Sequence, residues 1–476
     1  MASHVIIMDE PRGYWYARWL FERALAVLYL VAFACAANQF VPLLGEHGLL
    51  PVPVFVRAIP FSESPSLFYL APTDAAFRAA AWAGIALACL ALTGAMQRLG
   101  ASFAAALWAG LWVLYLSFVN VGQIFYGFGW ETLLLEAGFL TIFAGGSGSA
   151  PNALSIWMWR WLLFRIMFGA GLIKLRGDPC WRDLTCLDYY FETQPMPNPL
   201  SWYFHWMPAA VHHGGVVFNH LAELVVPLGY FAPQPIAATA GVVTIVFQLV
   251  LIVSGNLSWL NWLTIVLAIP TLNDRWLSWL PVTAPALREA SVIHRASVYV
   301  LAVGVGIMSI PPVLNMLSPN QLMNSSFEPL HLVNTYGAFG SITRTRDEIV
   351  IEGTGDAEIT DATIWREYDF KGKPGDPARM PPQVAPYHLR IDWLMWFAAM
   401  SAPSEHPWFA ALLEKLLEGD PAALSLLRVN PFPDRPPRYV RARLYRYAFT
   451  TPEERRRTGR WWRRDAEGLY FPAVRR

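Results

Sequence analysis

Long apolar stretches separated by short polar segments dominate the first two-thirds of this chain. A helix needs roughly 20 mostly apolar residues to cross the hydrocarbon core of a bilayer. About nine windows approach that length, and they cover residues 19–40, 75–96, 102–119, 130–145, 155–175, 211–231, 236–254, 259–272 and 296–317. The pattern therefore predicts a mostly α protein whose residues 1–317 form a polytopic helical membrane bundle.

The pattern changes after residue 317, where apolar and polar residues mix as they do in a soluble α+β unit of normal domain size. Residues 439–449 alternate apolar and polar side chains, which predicts a half-buried strand. Further strands are predicted at 336–343, 348–352 and 362–370, and helices at 391–400, 407–417 and 421–427. We expect residues 318–476 to form a separate carboxyl-terminal domain.

Basic residues beside the apolar windows predict which side of the membrane each end occupies, because Lys and Arg are enriched in cytoplasmic loops. They are Arg12, Arg18, Arg23, Arg98, Arg275, Arg288 and Arg295. With an odd number of spans all of them are cytoplasmic, and residues 318–476 are extracytoplasmic. The carboxyl-terminal domain is itself rich in arginine: Arg441, Arg443, Arg446, Arg455, Arg456, Arg457, Arg460, Arg463 and Arg464. This excess of arginine argues against an extracytoplasmic location, but long translocated domains largely escape the preference of basic residues for the cytoplasmic side. An even number of spans would reverse the orientation.

Composition supports a membrane protein and excludes several classes. The chain is 55% hydrophobic and 15% charged, whereas soluble domains contain about 25% charged residues. A net charge of +1 gives no general attraction to nucleic acid, so we expect no such partner. The sequence contains no GxSxG, CxxC or HExxH motif and no phosphate-binding glycine loop, which argues against a lipase or a dithiol oxidoreductase. We expect no bound cofactor and favour a function other than catalysis.

Charged residues inside the apolar windows are candidates for a functional polar network, because charge is costly in lipid. Arg165 requires a partner, and Glu131 and Glu136 are the nearest acidic residues in sequence. A pair between Arg165 and one of these two carboxylates would either order the bundle as an ion pair or form part of a path for substrate or protons. Lys174 either extends its amine to the membrane surface beside Arg176 or is a desolvated functional amine.

A second polar group lies in the window 211–231. Asn219 and Glu223 are four residues apart and share a helix face, and His220 is within reach of Glu223. These residues predict interhelical hydrogen bonds or a polar pocket shared with Lys174. We predict no metal site, because a helical His-x-x-Glu pair supplies only two ligands.

Two further groups lie outside the spans. Cys180 and Cys186 share one loop, and the sequence allows either a disulfide in an oxidising compartment or two free thiols. Tyr387, His388, Arg390 and Asp392 form an aromatic and charged cluster, which predicts a partner-binding surface. Asp392 could instead cap a helix. Trp393 and Trp396 are expected in the core.

Several stretches carry polar residues at fixed places within apolar sequence. They are GWETLLLEAGFL (129–140), the segment 162–205, FNHLAELVVP (218–227), SGNLSWLNWLTI (254–265), NTYGAFGSITRTRDEIVIEGT (334–354), WREYDFKGKPGD (365–376) and APYHLRIDWLMWFAAM (385–400). Over nearly the whole chain these motifs resemble the lipase maturation factor family. The stretch AGLIKL (170–175) is also similar to a motif in the membrane domain of vitamin K-dependent carboxylase and its bacterial relatives.

The first resemblance implies a multispanning protein that in animals lies in the endoplasmic reticulum membrane and supports folding and assembly of secreted lipases into active dimers. It also implies a large carboxyl-terminal domain on the luminal side. The Ala-, Arg- and Pro-rich composition predicts a bacterial member, placed in the inner membrane with the lipid bilayer and an exported lipase or other client as partners. The second resemblance implies that Lys174 is a base. The alternative function is thus an intramembrane enzyme that uses Lys174, His220 and Glu223 on a peptide or lipid. A transporter has little support, because segment lengths show no inverted repeat.

Overall fold

The computed structural model describes residues 11–475. Residues 1–10 and residue 476 lie outside the described part. So does the side chain of Arg12, one of the basic residues predicted to lie on the cytoplasmic side. The α-helices are α1 (Trp15–Leu44), α2 (Val52–Ala58), α3 (Asp74–Thr93), α4 (Ala95–Leu99), α5 (Ala101–Val121), α6 (Gly129–Thr141), α7 (Ala153–Arg176), α8 (Pro179–Arg182), α9 (Leu187–Thr193), α10 (Ser201–His205), α11 (Ala209–His220), α12 (Ile236–Ser254), α13 (Leu260–Ala268), α14 (Asp274–Leu277), α15 (Val292–Met308), α16 (Ile310–Leu317), α17 (Arg390–Ala398), α18 (Pro407–Glu418), α19 (Pro421–Ser425) and α20 (Pro452–Thr458).

The first part of the chain is a helical bundle with the composition of a multi-pass membrane protein. Within residues 11–475, six helices are long and apolar enough to cross a membrane: α1, α3, α5, α7, α12 and the continuous α15–α16. The windows predicted at 130–145, 211–231 and 259–272 form shorter helices that begin at Gly129, Ala209 and Leu260. The predicted windows therefore correspond to helical segments, three of which are shorter or less regular than a standard span.

Contacts between segment ends show that successive segments run in alternating directions. At one end of the bundle Arg18, near the start of α1, donates to the carbonyls of Ala144 and Ser149, which follow α6. The backbone of Trp15 reaches Asp274, which follows α13. At the opposite end Gln39 near the end of α1, Asn256 just after α12 and Glu131 in the first turn of α6 contact residues 382–390 of the carboxyl-terminal domain. We call these the distal face and the domain face of the bundle.

The segment 209–231 is the least regular of the bundle. The α-helix α11 gives way to a π-helix over Leu221–Val225 and then to a 3₁₀ helix over Val226–Phe231. Pro227 cannot donate a backbone hydrogen bond, which disfavours a continuing α-helix. The segment exposes a strip of apolar side chains, Val211, Val217, Leu221, Val225 and Leu228. Such a strip suits contact with lipid.

The carboxyl-terminal region is an α+β unit around a small antiparallel sheet. Its strands are β1 (Arg346–Thr354), β2 (Arg366–Glu367), β3 (Asp369–Phe370), β4 (Leu427–Val429), β5 (Tyr439–Phe449) and β6 (Trp462–Arg475). The four-stranded sheet has the order β2-β1-β5-β6, with Ile349 of β1 opposite Leu444 of β5, and β3 pairs with β4. Buried apolar side chains of this unit and of the bundle form one continuous core.

The strands differ from prediction at several places. The predicted strand 362–370 is only the two short strands β2 and β3, and the predicted helix 421–427 ends at Ser425, so that Leu427 begins β4. Residues 336–343 are not a strand, because they run along the bundle: the carbonyls of Phe339 and Gly340 accept hydrogen bonds from Trp181 and Asp178. The sequence does not predict β6, which is highly charged and contains Pro472. It is an edge strand with register shifts against β5, and edge strands tolerate both features.

Candidate functional site at the junction of the two halves

Glu136 and Arg165 form an ion pair at the centre of the junction. Both side chains are buried, and the Arg165 guanidinium donates to the Glu136 carboxylate. Of the two partners left open by the sequence, the structure selects Glu136. The pair also holds the chain that leaves the bundle. Glu136 accepts from the backbone and side-chain amides of Asn334 at 3.1 Å each and from the Tyr336 hydroxyl at 2.8 Å, while Arg165 donates to the Asn334 carbonyl at 2.7 Å.

Glu131 has a different partner, Arg390 at the start of α17. The guanidinium donates to Glu131 at 2.8 Å and to the carbonyl of Phe125 at 2.7 Å, and it lies 3.4 Å from the centre of the Tyr126 ring. Tyr115 donates its hydroxyl to the same carboxylate. Arg390 is completely buried. It therefore joins the carboxyl-terminal domain to the domain face of the bundle.

The cluster predicted as a partner-binding surface is part of this internal junction. Gln39 of α1 donates to the His388 carbonyl at 2.7 Å, and both Asn38 and Gln39 donate to the Tyr387 hydroxyl. His388 and Arg390 are buried among aromatic rings of the bundle. Surface recognition of a partner by Arg390 is therefore wrong, because the bundle itself occupies that surface.

Two titratable groups of the cluster are perturbed by burial. Burial lowers the pKa of His388 to about 4, so the ring is neutral at pH 7, and Trp130 donates to its Nδ1 at 3.4 Å. Burial raises the pKa of Asp392 to about 6, against the effect of the Gly372 and Lys373 amides that donate to it at 2.6 and 2.9 Å. Asp392 thus fixes the loop at residues 371–373 rather than capping α17, for which the structure shows no side-chain cap.

Lys174, Asn219 and Glu223 meet in a buried polar centre next to the junction. The Lys174 amine donates to Glu223 at 2.5 Å and to Asn219 at 3.0 Å, and Asn219 donates to the second carboxylate oxygen at 3.0 Å. The amine also lies 5.0 Å from the centre of the Trp181 ring. Lys174 is buried, so the prediction that it extends to the membrane surface is wrong. The π-helix brings Glu223 to this position.

His220 does not join this centre. Its Nε2 lies 2.9 Å from the carbonyl of Trp181. Trp181 belongs to the loop in which the structure joins Cys180 and Cys186 by a disulfide. The loop in turn covers the amine of Lys174. The structure therefore assembles two of the three residues proposed for an enzyme and uses the third to hold a loop.

Two cavities adjoin the junction. A small one of about 60 Å³ is lined by Lys174, Asn219 and Glu223 together with Gln248 and Asn261, and it is large enough for a few waters. A larger one of about 740 Å³ lies between the domain face and the carboxyl-terminal domain. We call the larger one the junction cavity. Ile166, Leu260, Ala338 and Phe339 line both.

The junction cavity is mainly apolar and aromatic. The bundle contributes Phe128, Trp130 and Ile173, and α17 contributes Trp393, Trp396 and Phe397. Ile124, Met323 and Phe397 are exposed at its rim. The sequence indicated Trp393 and Trp396 as core residues, and Trp393 is buried. The cavity itself was not predicted, because segments spread between Ile124 and His406 line it.

Comparison with known proteins assigns the chain to a family. A model described as the lipase maturation factor transmembrane domain matches residues 16–279, and one described as the lipase maturation factor C-terminal domain matches residues 332–472. The chain belongs to the lipase maturation factor family. The residues of the Glu136–Arg165 and Glu131–Arg390 pairs all fall within the two matched regions. The recognition made from the motifs is confirmed, as are the membrane bundle and the mostly helical fold.

The similarity to individual family members extends over almost the full chain. Lipase maturation factor 1 of Bos taurus is 43% identical over 97% of this chain and 90% of its own length. Lipase maturation factor 1 of Homo sapiens is 43% identical over 97% and 88%. Lipase maturation factor 2 of Mus musculus is 30% identical over 96% and 82%. No solved structure matches the chain. These relatives support a membrane protein with a maturation role and give no support to a carboxylase-like enzyme.

Proposed function

We propose that this protein is a membrane-embedded maturation factor for exported lipases. It lies in the bacterial inner membrane, with residues 318–476 as a domain on the export side. The observation that carries the proposal is the full-length similarity to proteins named lipase maturation factors. The positions of the arginines support the orientation: Arg18, Arg23, Arg98, Arg275 and Arg288 belong to segment ends at the distal face. Basic residues favour the cytoplasmic side, which leaves the domain face on the export side.

The junction cavity is the part of the structure best suited to hold a client. A lipase that has not yet assembled exposes apolar surface and is prone to aggregate. An apolar cavity with an aromatic lining and an exposed rim can bind such a segment, since aromatic side chains dominate binding energy at interfaces. Anchoring the factor in the membrane raises its local concentration near emerging clients. Shielding, rather than chemistry, is the proposed activity.

Replacing Phe397 with aspartate is expected to reduce the yield of active exported lipase several-fold, because a charge at the rim opposes entry of an apolar segment. The measurement is secreted lipase activity in cells that co-express the lipase and each variant, with the abundance of the factor determined in membranes. Phe397 is 40% exposed, and the abundance in membranes separates a loss of client binding from a loss of folded protein. Ile364→Asp, on an exposed loop away from the cavity, is the matched control. Equal lipase yields from F397D and wild type would refute the cavity as the client site.

The enzyme alternative is tested by the double variant Lys174→Met with Glu223→Leu. It removes the amine and the carboxylate together, so neither is left as an unpaired buried charge. A maturation factor is expected to retain nearly full support of lipase secretion in this variant. An enzyme that depends on the Lys174 amine would lose activity at wild-type abundance. Lys174→Met alone leaves Glu223 uncompensated, and we expect it to lower the amount of folded protein.

A further inference from the structure

The carboxyl-terminal domain carries a basic surface beside the point where the segment 209–231 begins. Residues 452–463 contain five arginines and two glutamates. They form α20 and the turn that leads into β6. We call Arg456, Arg457 and Arg460 the arginine surface. All three are exposed, and no ion pair engages them within residues 11–475.

The structure fixes this surface to α10. Arg455 lies 3.5 Å from the centre of the Trp461 ring and 4.5 Å from that of Trp202. The indole nitrogens of Trp202 and Trp206 donate to the carbonyl of Thr450, immediately before α20, at 2.8 and 3.1 Å. The arginine surface is therefore held in place next to α10 and is not part of a free loop.

The position of α10 puts this surface at the boundary between lipid and water. Ala209 begins α11 a few residues later, and α11 starts the segment whose apolar strip faces outward. Tyr203, Trp206 and Met207 are 48%, 40% and 36% exposed. Exposed Trp and Tyr at the end of a membrane segment mark the headgroup level of a bilayer. Arg455, which precedes the arginine surface in α20, lies 5.2 Å from the centre of the Tyr203 ring, so we infer that the arginine surface lies near the level of the lipid phosphates.

Several arginines of the sheet have acidic partners of their own. Arg441 pairs with Glu352, Arg446 with Asp347 and Glu467, and Arg464 with Glu367. Of the two acidic residues of α20, Glu454 accepts from the Thr451 amide and lies 3.6 Å from Arg463, while Glu453 is exposed and has no ion pair within residues 11–475. Arg456, Arg457 and Arg460 thus lie together beside α10 without an acidic partner in the described structure.

From this placement we propose that the arginine surface binds the phosphate groups of anionic phospholipids in the leaflet that adjoins the domain. Guanidinium groups recognise phosphate well, and a polybasic segment gains roughly 1 kcal/mol per basic residue near an anionic surface. The inference explains why an arginine-rich end is compatible with an extracytoplasmic domain. It does not depend on the identity of any client.

The test measures lipid binding by the full-length protein in detergent. Phosphatidylglycerol, phosphatidylcholine or inorganic phosphate is added, and bound lipid is quantified by native mass spectrometry. Wild type is expected to prefer phosphatidylglycerol over phosphatidylcholine, with an affinity that falls as salt is raised. Arg457→Gln with Arg460→Gln is expected to weaken phosphatidylglycerol binding roughly tenfold to thirtyfold. Inorganic phosphate at the same concentration is expected not to compete.

The matched control is Arg435→Gln with Arg438→Gln. These two arginines are also exposed and without an ion pair in the described structure, and they precede β5, whose other end lies roughly 33 Å away next to α20. The control is expected to bind lipid as wild type does. An equal loss in both variants, or no preference for phosphatidylglycerol in wild type, would overturn the proposal. So would competition by inorganic phosphate, or a loss of lipase maturation in the Arg457/Arg460 variant with lipid binding unchanged.

Discussion

Replacing Arg390 with methionine is expected to destabilise the protein by about 3–5 kcal/mol, the usual cost of removing one partner of a buried ion pair. Methionine fills much of the same volume, but it leaves the Glu131 carboxylate buried without its cation. The Phe125 carbonyl loses its donor as well. We expect a lower midpoint of thermal unfolding in detergent, measured by fluorescence-detected size exclusion, and a smaller amount of folded protein in membranes.

Two further variants make this test specific. Arg435→Met changes an exposed arginine of the same domain and is expected to leave the midpoint within experimental error, because exposed charges contribute little. Adding Glu131→Gln to R390M removes the uncompensated charge and is expected to recover part of the lost stability. A midpoint for R390M equal to that of R435M would contradict the assignment of Arg390 as the link between the two halves.

The membrane half was the more predictable part of the fold. Apolar windows of span length identified every crossing segment to within a few residues, because lipid exposure requires a nearly uniform apolar composition. The windows did not predict irregular geometry inside a segment, as in 209–231, where Pro227 and the π-helix interrupt the regular helix. The pattern of apolar residues does not show where a helix is interrupted in this way.

Within the polar network, the sequence could name the residues but not all of their partners. Lys174, Asn219 and Glu223 meet as one of the alternatives foresaw, since a buried amine requires a carboxylate. The choice between Glu131 and Glu136 for Arg165 could not be made, because one turn of helix separates the two. Glu131 is instead neutralised by Arg390, which is 259 residues away in the chain.

The contacts of the carboxyl-terminal domain with the bundle were the least predictable. Asn256 lies within one of the motifs, and its side-chain carbonyl oxygen accepts from the amides of Val384 and Ala385, while its amide group donates to the Pro382 carbonyl. The motif beginning at Asn334 was read as a strand, although it carries the donors that satisfy Glu136. A polar residue at a fixed place in a motif indicates that a hydrogen-bond partner exists, but the sequence does not identify that partner.

Replacing Glu136 with alanine is expected to have the largest effect of any single change in the bundle, at least about 3–5 kcal/mol. The carboxylate serves four donors: Arg165, both amide groups of Asn334 and the Tyr336 hydroxyl. All of them are buried, and each lost partner adds an unsatisfied polar group. We expect loss of folded protein together with faster trypsin cleavage after Arg344, because the chain that leaves the bundle is no longer held.

The double variant Glu136→Ala with Arg165→Met separates the charge from the other contacts. It removes the unpaired cation and is expected to restore part of the thermal midpoint, while cleavage after Arg344 stays fast because Asn334 and Tyr336 still lack their acceptor. Glu358→Ala, on an exposed loop of the same domain, is expected to match wild type in both measurements. If E136A unfolds at the wild-type temperature with unchanged cleavage, the ion pair does not couple the domain to the bundle. We expect the domain and the bundle to be coupled because the Glu136 carboxylate binds Arg165 in the bundle and also accepts from Asn334 and Tyr336 in the chain that leaves the bundle.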